Sequence, residues 1–234
     1  RVNSNAVLRS LAALPEHLRR YLVPIVAERF VQAGHNASAL SVLRILNRAG
    51  NIPDPTAKMA EAQVRLATGL KAEAKINLQE IINASTEHSP EALIDLIDLK
   101  YDSKEVMTEE IVKLAASYAR QYRDSELGQG LLRVQALAAS RAGLFDQAFQ
   151  SLQGFAGQFE RAGFQRLRAQ ILTDLAATPD DFTVIIWATA FSRTDPQALE
   201  AESALALARR LLTLGFSSLA EEFIAATKPT DRTP

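Results

Sequence analysis

Residues 141–152 read RAGLFDQAFQSL. With the alanine upstream they set Ala136, Gly143, Ala148 and Leu152 in the spacing A-x6-G-x4-A-x3-[LI]. The same spacing falls at Ala27, Gly34, Ala39 and Leu43, at Ala62, Gly69, Ala74 and Leu78, and at Ala208, Gly215, Ala220 and Ile224. With 39 Ala, 10 Gly and 44 Leu plus Ile in 234 residues, random placement yields roughly 0.05 matches, so four mean an internal repeat. The glycines stand 35, 74 and 72 residues apart, and the two long gaps are double steps with one degenerate unit in each. Six units of about 36 residues then fit, at 18–53, 54–89, 90–125, 126–160, 161–197 and 198–229.

Helix-start signals support these boundaries independently. Asp54-Pro55, Ser89-Pro90 and Asp195-Pro196 each place a capping side chain before a proline, and Ser125-Glu126 falls one period after Ser89. Within a unit the glycine ends the first helix, because a left-handed residue is cheap only without a Cβ. A second helix follows, with its Ala and Leu or Ile on one face. One small residue per helix lets the pair approach closely. Such a hairpin cannot bury its apolar stripe alone, so neighbouring units must stack.

This pattern resembles the tetratricopeptide repeat, a helix pair with a small residue in the first helix, glycine near the turn, alanine in the second helix and a large apolar residue one turn later. The positions that carry the resemblance are the four sets named above. The family's early Trp and Tyr are mostly missing. The resemblance implies an all-α right-handed solenoid of about six antiparallel helix pairs. A capping helix occupies 1–17, the array 18–229 and a tail 230–234.

Two units need separate reading. The third is expected to hold one helix at Pro90–Tyr101 and a long one from about Ser103 to Arg123, with Val106, Ile111, Leu114, Ala115, Tyr118 and Tyr122 as its stripe. The fifth contains FTVIIWATAF, 182–191, which reads as a strand by propensity. The preceding Thr178-Pro179-Asp180-Asp181 opens a helix, and within a helical array helix is the expectation. Such a helix is apolar nearly all round: buried between layers, or offering Trp187 to a partner or a second copy. The last helix, 217–226, carries Phe223 and Ile224 with only TKPTDRTP after it, so it reads as a truncated end, a contact surface or a short cap.

Composition narrows function. A net charge of −1 gives no general attraction to nucleic acid or to anionic membrane, and no run is long enough to span a bilayer. Cysteine is absent, which removes disulfides, thiolate metal sites and a cysteine nucleophile. An initial Arg in place of Met reads as a fragment or a processed chain, and with the missing cysteines it points to a bacterial extracytoplasmic location, periplasmic or anchored. No G-x-S-x-G, H-E-x-x-H or phosphate loop occurs; GQGLLR at 128–133 is half of a dinucleotide fingerprint and follows no strand. His17, His35 and His88 lie far apart near turns, and the acidic neighbours Glu109/Glu110 and Glu221/Glu222 sit in first turns or on solvated faces. The expectation is no catalytic residue, no metal and no cofactor.

Binding remains. The resemblance implies a concave groove lined by first helices, taking a partner's peptide or helix. Outward first-helix positions give Glu28, Gln63, Arg133, Arg141 and Arg209 as groove candidates. Arg outnumbers Lys 19 to 7, and guanidinium is suited to carboxylates. Each arginine is otherwise solvated or paired to a local acid. The leading reading is a protein-interaction scaffold. The alternatives are the helical part of a larger, cell-envelope enzyme and, from AGHNASALSVLRILNRAGNIPD at 33–54, a pentatricopeptide-like RNA binder. A read of the flanking coding sequence separates the first alternative, and salt-dependent RNA retention the second.

Overall fold

The computed structural model describes residues 4–47, 55–154, 161–194 and 201–226. These form thirteen α-helices and, among the described residues, no strand. They are α1 Ser4–Ala12, α2 Glu16–Gln32, α3 Asn36–Asn47, α4 Pro55–Ala67, α5 Lys71–Asn83, α6 Ser89–Asp102, α7 Glu109–Gln121, α8 Glu126–Arg141, α9 Phe145–Gly154, α10 Arg161–Ala177, α11 Asp181–Thr194, α12 Ala201–Thr213 and α13 Ser217–Ala226. The chain divides into two compact units, Arg1–Leu99 and Lys100–Pro234, with the division inside α6.

The repeat glycines are where backbone physics places them. Gly34, Gly69, Gly143 and Gly215 have φ of 76°, 80°, 76° and 84°, the left-handed region that costs an L-residue about 1–2 kcal/mol. At Gly143 the N–H donates to the Ser140 carbonyl at 3.1 Å, and the Leu144 N–H reaches the Ala139 carbonyl at 2.8 Å. This double closure satisfies carbonyls that the end of α8 would otherwise orphan, and the same pair of bonds recurs at the other three glycines. The repeat alanines either side of each turn, including Ala27, Ala39, Ala136 and Ala148, are fully buried.

The third unit keeps this turn without its glycine. Lys104, 35 residues after Gly69, has φ 56°, its N–H bonds the Tyr101 carbonyl and the Glu105 N–H bonds the Lys100 carbonyl. Lys104→Gly is therefore expected to stabilise the chain by about 1 kcal/mol. A thermal melt that fails to rise contradicts this account of the turn. The fifth unit uses other chemistry. Asp180 caps α11, its Oδ1 accepting from the Phe182 N–H at 3.2 Å, and Pro179 precedes it.

Several expectations change. The long helix from Ser103 is not formed: α6 closes on Lys104, and α7 starts only at Glu109, behind the extended Thr108 and with Glu109 and Glu110 in its first turn. Val106 is consequently 79% exposed in the connection, and the buried stripe of α7 is Val112, Ala115 and Ala119. Ser89 does not cap its helix from outside. It is the first residue of α6, fully buried, and its Oγ donates to the Ile81 carbonyl at 2.9 Å. Asp54 and the Asp195-Pro196 pair lie outside the described residues. Ser125 caps as expected, accepting from the Gly128 N–H at 3.2 Å.

In the first unit, Leu11 of α1 joins Val23, Ala27, Phe30, Ala39, Val42, Leu43 and Val64 in one cluster, with Val7 and Leu8 against it. Here α1 touches α2 and α3, and α2 touches α3 and α4. In the second unit α10 touches α8, α9, α11 and α12, while α12 and α11 both touch α13. Leu131, Leu137, Ile171, Leu172, Leu175 and Phe223 are fully buried there. Residues 182–191 are helical, within α11. That helix is not buried all round. Val184 and Ala188 face inward, whereas Phe182 is 71% and Ile186 48% exposed.

Five side-chain hydrogen bonds between helix pairs span close to one repeat. Asn36 donates to the Ala67 carbonyl, Thr56 meets His88, Ser140 meets Asp174, Ser203 donates to the Ala169 carbonyl and Arg210 to the Thr178 carbonyl. Their separations are 31, 32, 34, 34 and 32 residues, close to one repeat.

Candidate functional site

The C-terminal ends of α6, α8 and α10 meet in the second unit. Each brings a polar residue to the meeting point because its apolar stripe is interrupted there. In α10 the run ILTDLAA places Asp174 on the stripe of Ile171 and Leu175, so the carboxylate goes inward with its neighbours. In α8 the run ALAASR does the same for Ser140. Ser140 Oγ donates to Asp174 Oδ2 at 2.7 Å, and an Arg141 Nη lies 3.2 Å from Asp174 Oδ1. The guanidinium also covers the Tyr101 ring, 4.5 Å from its centroid, and the Tyr101 hydroxyl donates to the Gln170 carbonyl at 3.4 Å. A charged pair so enclosed is held by its bonds against the loss of water.

Burial dominates the electrostatics. It raises the Asp174 carboxyl above its usual range, against the opposing pull of the Ser140 hydroxyl, Arg141 and Tyr101. Burial, then the Asp174 charge, also pushes the Tyr101 phenol upward. The raised Asp174 value has a definite sign for stability. The folded chain keeps the proton to higher pH than the unfolded chain does, so this residue's contribution falls as pH rises between those two values. Asp174→Asn is expected to remove that downward slope. Denaturant midpoints from about pH 4 to about pH 7 check it, and an unchanged slope contradicts it.

Two clefts flank this cluster. One, of about 370 Å³, is lined by Lys104, Val106, Arg141, Asp174 and Thr178 among others. The other, of about 180 Å³, lies between the start of α9 and α11, with Asp146, Thr183 and Trp187 on its walls. Gly143 and Phe145 belong to both. Trp187 is half-buried, 4.3 Å from the Phe149 ring and 5.8 Å from Phe191, so it closes the aromatic edge of the core as well as walling the cleft.

The candidate residues separate on this map. Arg141 lines the larger of these two clefts and Trp187 the smaller, and Gly143 lines both. Arg133 is half-buried on α8, and Arg209 is exposed on α12. Glu28 and Gln63 are exposed in the first unit, where Glu28 accepts from Gln32. Arg141 is the candidate most fully engaged within the chain. Its partners Tyr101, Ser140 and Asp174 were not among the sequence candidates, although an acid on the apolar stripe of α10 was a readable signal. The described histidines do not converge: His17 and His35 are exposed and His88 bonds Thr56 and Glu91. No group of three metal-ligating side chains occurs among the described residues. Nor does any helix among them have the length and apolarity to cross a membrane. Compared with known proteins, the chain matches no family model, no curated protein and no solved structure.

Proposed function

We propose that the chain is a non-catalytic interaction scaffold, a tetratricopeptide-like array of helix pairs that takes a partner's peptide or helix along its first helices. The observation that carries this reading is the one-repeat interval of the bonds between pairs. It is what stacked hairpins produce, and within each compact unit stacking leaves a row of first-helix side chains free for a partner. Contacts of α2 with α4, of α8 with α10 and of α10 with α12 support it in each unit. The polar cluster around Asp174 serves this scaffold as a tie between pairs. A preformed row binds without ordering the receptor, which keeps the entropy cost on the partner.

The test uses exposed positions only, because Arg141 is tied to a buried acid. Proteins retained by the immobilised chain are identified by mass spectrometry and re-tested against Glu28→Lys, Gln63→Lys and Arg209→Glu. Loss of retention in at least one variant with an unchanged circular dichroism melt is expected. Retention that ignores all three contradicts the reading.

A further inference from the structure

The cleft of largest volume among the described ones plays no part in the cluster above. It measures about 680 Å³ and lies in the second unit between α7, α8 and α9. Ala116, Ala119 and Gly154 form small-residue walls, Leu132 adds an apolar one, and Arg120, Arg123, Gln135 and Gln150 supply the polar groups. Among the described residues no carboxylate lines it. Four arginines elsewhere are matched to acids, Arg20 to Glu16, Arg65 to Glu61, Arg141 to Asp174 and Arg210 to Asp181, while Arg9 and Arg29 donate to the Asn5 carbonyl and to Gln32. Arg120 instead donates its Nε to the Ala116 carbonyl at 3.3 Å, and among the described residues neither it nor Arg123 has an acidic partner. The Gln135 and Gln150 amides are likewise without hydrogen-bond partners among the described residues.

We propose that this cleft holds an acidic segment of a partner protein, its carboxylates on Arg120 and Arg123 and its backbone on the two glutamine amides. This rests on the interaction-scaffold reading and names a second surface for it, built mainly from second helices. The chemistry is complementary at each point. Guanidinium takes a carboxylate with paired donors, a glutamine amide matches both peptide N–H and C=O, and the alanine walls leave room for an extended chain. A nucleic acid fits less well. Its phosphates suit arginine, but among the described residues no aromatic side chain lines the cleft to stack a base.

Fluorescence anisotropy decides this with a fluorescein-labelled eight-residue peptide of alternating Glu and Leu, its Lys-for-Glu counterpart and a labelled oligouridylate. The acidic peptide is expected to bind, and Arg120→Glu with Arg123→Glu to weaken it at least about tenfold, the loss of one charge-assisted contact. Arg120→Gln with Arg123→Gln guards against a folding defect and is expected to weaken binding with an unchanged melt. Lys71→Glu, at the exposed start of α5, is expected to leave binding unchanged. Absence of acidic-peptide binding, indifference to both double variants, or tighter binding of the oligouridylate overturns the inference. Partner retention lost on Arg209→Glu alone would leave the scaffold standing while this surface falls.

Discussion

Gly128→Ala is expected to cost about 3 kcal/mol or more, although the residue sits in the first turn of an α-helix where alanine is ordinarily the better choice. A Cβ at this position falls 2.0 Å from the Tyr122 carbonyl oxygen, 2.8 Å from its carbon and 3.1 Å from Arg123 Cα. All three are backbone atoms, so no side chain can swing aside. The oxygen is also committed: it accepts from the Ser125 N–H at 3.0 Å and from Ser125 Oγ at 2.8 Å. Relieving the clash therefore breaks the turn that joins α7 to α8. Ser125→Ala, which removes the cap and the hydroxyl's bond to Tyr122 but adds no atom, is expected to lose about 1 kcal/mol, and the contrast exposes the steric cost. Urea unfolding measures both. A Gly128→Ala loss no larger than that of Ser125→Ala contradicts the geometry of this turn.

The second large effect lies at the buried pair. Arg141→Ala leaves Asp174, with its side chain only 5% exposed, without its cation and removes the cover of the Tyr101 ring. Orphaning a buried charge costs about 3–5 kcal/mol, and the Arg141 side chain's 23% exposure places this case near the lower figure. Asp174→Asn alone is expected to be mild, because an amide oxygen still accepts from Ser140 and the desolvated charge is gone. The double variant Arg141→Ala with Asp174→Asn is then expected to recover about 1–2 kcal/mol over Arg141→Ala. Strict additivity in urea unfolding contradicts the coupling.

What could be read from the sequence divides along physical lines. The turns at Gly34, Gly69, Gly143 and Gly215 were legible because a left-handed residue selects glycine, and so leaves a mark at a fixed position. The turn at Lys104 has the same geometry and bonds but carries a Cβ in spite of its cost, so the repeat there looked lost and the helix after it was drawn too long. Asp180 was legible because a cap is a local preference. It outweighed the strand propensity of FTVIIWATAF, whose Val184 and Ala188 found a core to face. The site was less legible. Arg141 stood out as an outward position counted from Gly143, but its turn toward Asp174 depends on which pair stacks on which. Periodicity within a helix carries no such information. For Arg120 and Arg123 the distinguishing property is the lack of an acid across a cleft, which is a relation between three helices rather than a pattern along one.

The central claim is that first helices lie side by side in chain order, and spin-label distances test it within the second unit. The chain has no cysteine, so labels go only where cysteines are introduced. Gln129 of α8, Arg166 of α10 and Glu202 of α12 are exposed and occupy matching levels of their helices. With neighbouring axes about 10 Å apart, the 129–166 and 166–202 pairs are expected near that spacing and the 129–202 pair near about 20 Å. A 129–202 distance equal to or shorter than the other two would place these helices around a common centre, and the stacked array would be wrong.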